Sequence, residues 1–205
     1  MRRRLEIPKY MHVCVTVLAP RGGDPTWSDA EVTANMDAAA GILRDQANVE
    51  LVEHGRKVVH VDDEHLDANA CDISQLFTAD ALEFSGGTER GGTFSELMGC
   101  GGMAQHLRAP LLVEYVNVIF MRVIIEDDKA GCHVPGTDYV LVARTSDDKP
   151  GRSAGDTLAH ELGHAGDLWH LGDPKNLMTP GRNNVELRSW QACLLRRSRF
   201  VTYMP

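Results

Sequence analysis

Residues 160–170 read His160-Glu-Leu-Gly-His-Ala-Gly-Asp-Leu-Trp-His170, and this stretch decides how the rest of the chain is interpreted. On a helix, His160 and His164 lie four residues apart, so both imidazoles project from one face and can bind one metal ion. Glu161 lies one step further round the helix, where its carboxylate can contact a water molecule beside that ion. His170 lies six residues beyond His164 and can supply a third ligand if the chain turns sharply where the helix ends.

Three protein ligands and one open coordination position are the arrangement that metal-assisted hydrolysis requires. Zinc lowers the pKa of a water molecule in the open position, and a neighbouring carboxylate can accept the proton that this water releases. With 9 histidines in 205 residues, the full pattern arises by chance in only about one sequence in a thousand. The pattern therefore predicts one catalytic zinc ion bound by His160 and His164, with His170 as a candidate third ligand and Glu161 as a candidate general base.

A second motif, Asn176-Leu-Met-Thr-Pro180, follows the three histidines. Together the two motifs resemble the metzincin clan of zinc-dependent endopeptidases, in which the pattern HExxHxxGxxH precedes a turn whose methionine lies beneath the metal. The resemblance implies a zinc metalloendopeptidase with Met178 as the Met-turn residue, Glu161 as the general base and three zinc ligands: His160, His164 and His170. By specific motif it covers residues 156–180, and by the order of predicted elements about the whole chain.

Two positions depart from the pattern of the clan. Asp167 stands where the clan has a glycine with positive φ, although Asp tolerates the left-handed region better than most residues. If the helix instead continued, Asp167 would lie on the same face as the two helical histidines and would be an alternative third ligand. Pro180 stands where astacin-like and serralysin-like members have a tyrosine, so the sequence is closer to matrixin or reprolysin-like and small bacterial members.

The segment 131–136 lies where the clan carries the edge strand that pairs with extended substrate. Its proline and glycines are typical of an exposed edge rather than of a central strand. The resemblance therefore implies a peptide or protein substrate that pairs with four residues of this edge: Gly131, Cys132, His133 and Val134.

Hydrophobic periodicity predicts strands and helices that alternate along the chain. The predicted strands are Met11–Leu18, Val116–Ile125 and Tyr139–Ala143, and Val49–Val52 and Val58–Val61 form one or two further strands with a turn or bulge at His54-Gly55. The predicted helices run from a capping box at Ser28–Glu31 to about Ala47, from Ser153 over the histidine motif, and after Asn183. This order predicts an α/β (α+β) fold similar to that of metzincins: a twisted mixed sheet with an antiparallel edge strand, a backing helix, an active-site helix, and a small C-terminal subdomain with the Met-turn and one helix.

One catalytic domain is predicted over residues 1–205. Its N-terminal subdomain covers about 1–166 and includes a glycine-rich insertion at about 62–110, and its C-terminal subdomain covers about 167–205. The last helix is predicted to have Glu186 in its first turn and to place Trp190 beneath the cleft, on a face shared by three residues: Leu187, Trp190 and Leu194.

The composition excludes several other classes of protein. Hydrophobic residues make up 43% and charged residues 24% of the chain, which is typical of a folded domain and argues against disorder. A formal charge of −8 disfavours nucleic acid as a partner. No stretch reaches the roughly 18 apolar residues of a membrane span. We expect a monomer.

The 5 cysteines form an odd count with no CxxC pair, which argues against a disulfide framework but allows one or two bridges. Cys100 and Cys132 are expected to be buried or free thiols. A calcium site (Ca2+) is left open but unsupported, because solvated loops explain the acidic pairs Asp127-Asp128 and Asp147-Asp148. The chain shows no clear signal peptide. Family resemblance favours a secreted mature domain or a delivered effector, and a cytoplasmic location is also compatible with the sequence.

Two other functions fit the same motif. One is a catalytically inactive, zinc-stabilised binding module, which the departure at Asp167 keeps open. The other is a zinc hydrolase that acts on a non-peptide amide. Activity on a generic peptide substrate separates both from an endopeptidase, whereas the cleavage-site preference does not follow from the motif.

Overall fold

The computed structural model describes residues 7–61, 67–68, 114–124, 129–133, 138–144, 154–181 and 184–205. In chain order the elements are β1 (Lys9–Pro20), α1 (Asp29–Ala47), β2 (Val49–Val61), β3 (Asp67–Ala68), β4 (Val116–Met121), β5 (Val123–Ile124), β6 (Gly131–His133), β7 (Tyr139–Ala143), α2 (Ala154–Ala165), α3 (Ser189–Leu195) and β8 (Val201–Thr202). Of the predicted insertion at about 62–110, only the backbone of β3 lies among the described residues. The division of the chain into two subdomains stays a prediction.

Five strands of the main sheet lie in the order β2-β1-β4-β7-β6, and β8 pairs with the start of β1. The first four of these strands are parallel, whereas β6 is antiparallel to β7 at the end of the sheet. Parallel neighbours need a crossover connection, and α1 supplies it between β1 and β2. The predicted α/β fold with a mixed sheet and an antiparallel edge strand is confirmed, and β4 is central as expected.

One face of the sheet packs against α1 and α2. Ser28 caps α1 and exchanges hydrogen bonds with Glu31, so the predicted capping box is confirmed. Because side chains alternate along each strand, every second strand residue joins the helices in the main core, which includes Met11, Val13, Val15, Val17, Val116, Val118, Phe120, Val140, Val142, Val32, Met36, Leu43, Leu158 and Leu162. The opposite face has its own apolar cluster, which includes Leu18, Ile119, Cys132 and Leu141.

The predicted bulge in β2 is confirmed, whereas one predicted strand is interrupted. β2 is one continuous strand, and its register against β1 shifts between Val13 and Cys14 because His54 is the extra residue of a β-bulge. The predicted strand from Val116 onward is interrupted at Arg122, whose side chain is exposed. A charged side chain at that point ends the buried strand, so β4 stays in the main sheet while β5 pairs with β3.

The predicted buried face of the last helix is wrong. α3 begins at Ser189, so Glu186 precedes the helix instead of lying in its first turn. Trp190 is 47% exposed and Leu194 is 42% exposed, and Trp190 therefore does not support a cleft floor. The helix buries its other face, formed by Gln191, Ala192 and Leu195, because the Gln191 carboxamide bonds to a buried amide.

The state of one cysteine also differs from the sequence prediction. Cys14 and Cys132 are both disulfide-bonded, so Cys132 is not a free thiol, whereas Cys193 is free and exposed. Cys100, the predicted cap at Ser153 and both acidic pairs considered for calcium lie outside the described residues. Among the described residues, no helix combines the length and apolar character needed to cross a membrane.

Candidate metal centre

Helix α2 carries the first part of the site. His160 and His164 are half-buried on one face of the helix, and their ring centroids lie 4.7 Å apart. Glu161 is buried, with 7% of its surface exposed. The four-residue spacing thus brings the two imidazoles together as the sequence predicts.

The chain turns sharply at the end of α2. Asp167 has a φ of 66°, its N–H donates to the His164 carbonyl at 3.0 Å, and the Leu168 N–H donates to the Gly163 carbonyl at 3.0 Å. These two bonds define a Schellman motif, in which Asp167 occupies the left-handed position that glycine usually takes. The helix therefore ends at Ala165. Asp167 forms part of the turn, and the chain then continues towards His170.

Three imidazole nitrogens converge at one point. The Nε2 atoms of His160 and His164 lie 3.1 Å apart, and the Nε2 atom of His170 lies 3.3 Å from the first and 2.9 Å from the second. Within the part of the chain that the structure describes, these three residues form the group of His, Cys, Asp or Glu side chains able to hold a metal ion, and Asp167 is not a member of it.

Hydrogen bonds fix two of the three imidazole rings in the tautomer that can bind a metal through Nε2. The Nδ1–H of His160 donates to the Leu177 carbonyl at 2.7 Å, and the Nδ1–H of His164 donates to the Leu168 carbonyl at 2.8 Å. Each Nε2 atom therefore carries a lone pair directed at the common point, as metal-binding histidines require.

The site also favours the neutral form of two of these imidazoles, those of His164 and His170. Burial, followed by the neighbouring His160, lowers the pKa of His164 to about 3, and burial lowers the pKa of His170 as well. A tetrahedral zinc ion with Zn–N distances of about 2.0–2.1 Å separates two ligand nitrogens by about 3.3 Å, close to the observed spacings. The donor set, its spacing and its protonation thus fit zinc.

Met178 lies in a buried turn against α2. Its Sδ atom is 2.6 Å from the position that a Cβ atom would take at Gly163, so the glycine leaves the room that this methionine fills. The Met178 N–H donates to the Asn176 side-chain oxygen at 3.0 Å, and the Met178 carbonyl accepts from the Leu171 N–H at 3.0 Å. The turn is therefore tied to the segment that carries His170, and the Met-turn role of Met178 stays a prediction.

A buried amide pair, Asn176 and Gln191, was missed by the sequence prediction. Asn176 donates to the Gln191 side-chain oxygen at 2.7 Å, and Gln191 donates back to the Asn176 side-chain oxygen at 3.1 Å. Gln191 is 0% exposed and Asn176 is 1% exposed. No periodic signal links these residues, because they face each other only after α3 folds against the methionine turn.

Replacing Gln191 with Met should lower the free energy of unfolding by about 1–3 kcal/mol, because the buried Asn176 amide then loses its partner. Urea unfolding followed by circular dichroism measures the change. The control is Arg197→Met, an exposed position after the same helix, where a shift within about 0.5 kcal/mol is expected. Equal stability of the two variants would contradict a structural role for the amide pair.

The predicted substrate strand lies beside α2. Gly131 and His133 of β6 are on the face of the sheet that packs against the helix, whereas Cys132 belongs to the cluster on the opposite face. The Nδ1–H of His133 donates to the Tyr139 carbonyl at 3.0 Å, and burial lowers the pKa of His133. Val134 lies outside the described residues, and contact of this strand with substrate stays a prediction.

The fold resembles solved structures at low sequence identity. One is archaemetzincin from Methanopyrus kandleri, with a TM-score of 0.53, 15% identity, and coverage of 92% of this chain and 95% of that chain. Another is a zinc-dependent peptidase from Methanocorpusculum labreanum, with a TM-score of 0.52, 10% identity, and coverage of 89% and 99%. No family model and no curated protein sequence matches the chain. At these identities the likeness establishes a fold shared with these two structures.

Proposed function

We propose that this chain is a zinc-dependent endopeptidase of the metzincin type. The observation that carries the proposal is the convergence of three imidazoles, with Nε2 atoms 2.9–3.3 Å apart, next to the buried Glu161. His160, His164 and His170 would hold one zinc ion. The fold shared with zinc peptidases supports the same conclusion.

Bound zinc would supply a Lewis acid that polarises the scissile carbonyl and lowers the pKa of the attacking water. Glu161 would accept one proton from the attacking water and deliver it to the leaving nitrogen, so that the peptide C–N bond breaks and leaves a carboxylic acid and an amine. The Leu177 and Leu168 carbonyls hold two of the imidazoles in place through this cycle. Met178 fills the space beneath Gly163 and keeps the methionine turn packed on α2.

The substrate is proposed to bind as an added strand beside β6. This strand lies at the end of the main sheet and is antiparallel to β7, and its Gly131 lies next to Glu161. An extended peptide that pairs with the edge of a sheet gains main-chain hydrogen bonds. The same pairing brings a peptide bond into reach of the general base and of the three imidazoles.

Zinc removal tests the proposal directly. The purified chain should bind about one zinc ion and should cleave peptides of a mixed library, as detected by mass spectrometry of new termini. Treatment with a chelator should abolish cleavage, and added Zn²⁺ should restore it. Zinc binding without cleavage of any peptide would instead indicate the inactive binding module, and hydrolysis restricted to non-peptide amides would indicate the other zinc hydrolase.

We further propose that the protein works in an oxidising compartment, as a secreted domain or a delivered effector. Disulfide bonds at Cys14 and Cys132 support this location, because reducing compartments keep most thiols free. Mass spectrometry of the natural protein, alkylated without reductant, tests the proposal. Alkylation of both cysteines would contradict it.

A further inference from the structure

Strand β6 passes very close to α2 at Gly131. A Cβ atom at this position would lie 2.6 Å from Cγ2 of Thr157, 2.8 Å from Cγ of Glu161 and 3.1 Å from Oε1 of Glu161. Distances below about 3.0 Å do not occur for real Cβ atoms, because they lie well inside van der Waals contact. A side chain at Gly131 is therefore incompatible with the present positions of the Thr157 methyl group and of the Glu161 Cγ atom that carries the carboxylate.

The requirement for glycine here is steric. Among the described residues, glycines with positive φ occur at Gly22 and Gly181, and Gly131 is not one of them. Its backbone conformation is thus accessible to alanine, and any effect of a methyl group comes from the contacts with α2. Thr157 and Glu161 lie one helical turn apart on the face of α2 that meets β6.

We propose that Gly131 is a positioning residue for the general base, in addition to its predicted place in the substrate strand. The bare backbone of β6 leaves a space in which the Glu161 side chain lies between strand and helix. A methyl group would push the carboxylate away from this position, while His160 and His164 keep their hydrogen bonds to the Leu177 and Leu168 carbonyls. The inference rests on the proposed function, since it assigns Gly131 a role through Glu161.

The test is a comparison of Gly131→Ala with wild type in peptide hydrolysis. We expect kcat to fall about 10- to 100-fold, because a displacement on the order of 1 Å at a reacting group has effects of this size. KM should stay within about twofold, and the zinc content should be unchanged. A rise in KM with unchanged kcat would show that the strand moves instead of the carboxylate, and would overturn the proposal.

Gly172→Ala is the matched control. Gly172 lies two residues after His170 in the chain, has no heavy atom within 4 Å of the position that an added methyl group would take, and lacks a positive φ. This variant should therefore keep both kcat and KM. Loss of activity equal to that of Gly131→Ala would show that any added methyl group near the site is harmful, and would contradict the specific role.

A double variant separates the two contacts of the methyl group and guards against misfolding. Thr157→Ser removes the closest contact, Cγ2, and leaves the contacts with Glu161 in place. Gly131→Ala combined with Thr157→Ser should fold, and its kcat should stay low compared with Thr157→Ser alone. Recovery of kcat to the level of Thr157→Ser alone would assign the effect to spacing between helix and strand, and would refute positioning through Glu161.

A second readout does not require peptide cleavage. The visible absorption spectrum of the protein loaded with Co²⁺ reports on the groups around the metal. Glu161→Gln and Gly131→Ala should change this spectrum in the same direction, whereas Gly172→Ala and Thr157→Ser should reproduce the wild-type spectrum. A wild-type spectrum for Gly131→Ala would overturn the positioning role, while inactivity of the wild type towards peptides would overturn only the proposed function.

Discussion

Replacing Glu161 with Gln should lower the rate of peptide cleavage by orders of magnitude while about one zinc ion per chain stays bound. The amide has the shape of the carboxylate but cannot accept a proton, so the step in which water is activated loses its base. General-base catalysis contributes about 10²- to 10⁴-fold to a rate, and a fall in kcat of this size is expected. The metal ligands stay in place, because the Leu177 and Leu168 carbonyls hold the rings of His160 and His164.

Initial rates on a peptide identified in the library, together with metal analysis of the same samples, measure this effect. Glu186→Gln is the matched control, since Glu186 is exposed and lies in an isolated bridge before α3. That variant should keep wild-type rates and zinc content. If Glu161→Gln cleaved peptides at the wild-type rate, Glu161 could not be the general base, and another proton acceptor would have to be sought near the three imidazoles.

The part of the site that the sequence predicts is the part set by local geometry. The spacing of His160, Glu161 and His164 has a single consequence on a helix, so their placement follows from residue numbers alone. His170 depends on one further condition, a sharp turn after the helix. That turn forms although Asp167 replaces the glycine, because two main-chain hydrogen bonds close the Schellman motif around its positive φ.

The fold class could also be predicted from the sequence, because it too depends on local patterns. The buried strands β1, β4 and β7 and the capped helix α1 each carry a strong local pattern, and parallel strands joined by helices have few arrangements. The exact ends of a strand were harder to predict from the sequence. Arg122 separates β4 from β5, and at His54 the sequence leaves open whether a turn ends one strand or a bulge continues it, because the pairing partner decides both outcomes.

Contacts between distant segments could not be predicted from periodicity. In α3 the apolar residues Trp190 and Leu194 suggest a buried face, yet the helix turns Gln191 inward. The reason is the Asn176 amide, which is buried beside the methionine turn and offers two hydrogen bonds to a matching carboxamide. Likewise, the sequence predicts only that Gly131 belongs to an edge strand. Its closeness to Glu161 follows from the packing of β6 on α2, which the sequence pattern does not reveal.

The identity of the third ligand gives the second large effect. His170→Ala should weaken zinc binding by more than about 100-fold, because removal of a direct ligand costs more than the 10- to 100-fold typical of outer-shell partners. Its Nε2 atom lies 2.9 Å from that of His164, and its side chain is exposed enough that truncation leaves the core intact. Competition with a zinc-binding dye at neutral pH measures the affinity.

Asp167→Asn is the variant to compare with it, because Asn keeps the tolerance for the left-handed region while removing the carboxylate. Alanine at this position would add backbone strain to the loss of the carboxylate, since a φ of 66° is unfavourable for a residue with an ordinary Cβ atom. We expect Asp167→Asn to bind zinc as tightly as the wild type. If Asp167→Asn lost zinc while His170→Ala retained it, the aspartate would be the third ligand, and the turn at the end of α2 would have to rearrange when the metal binds.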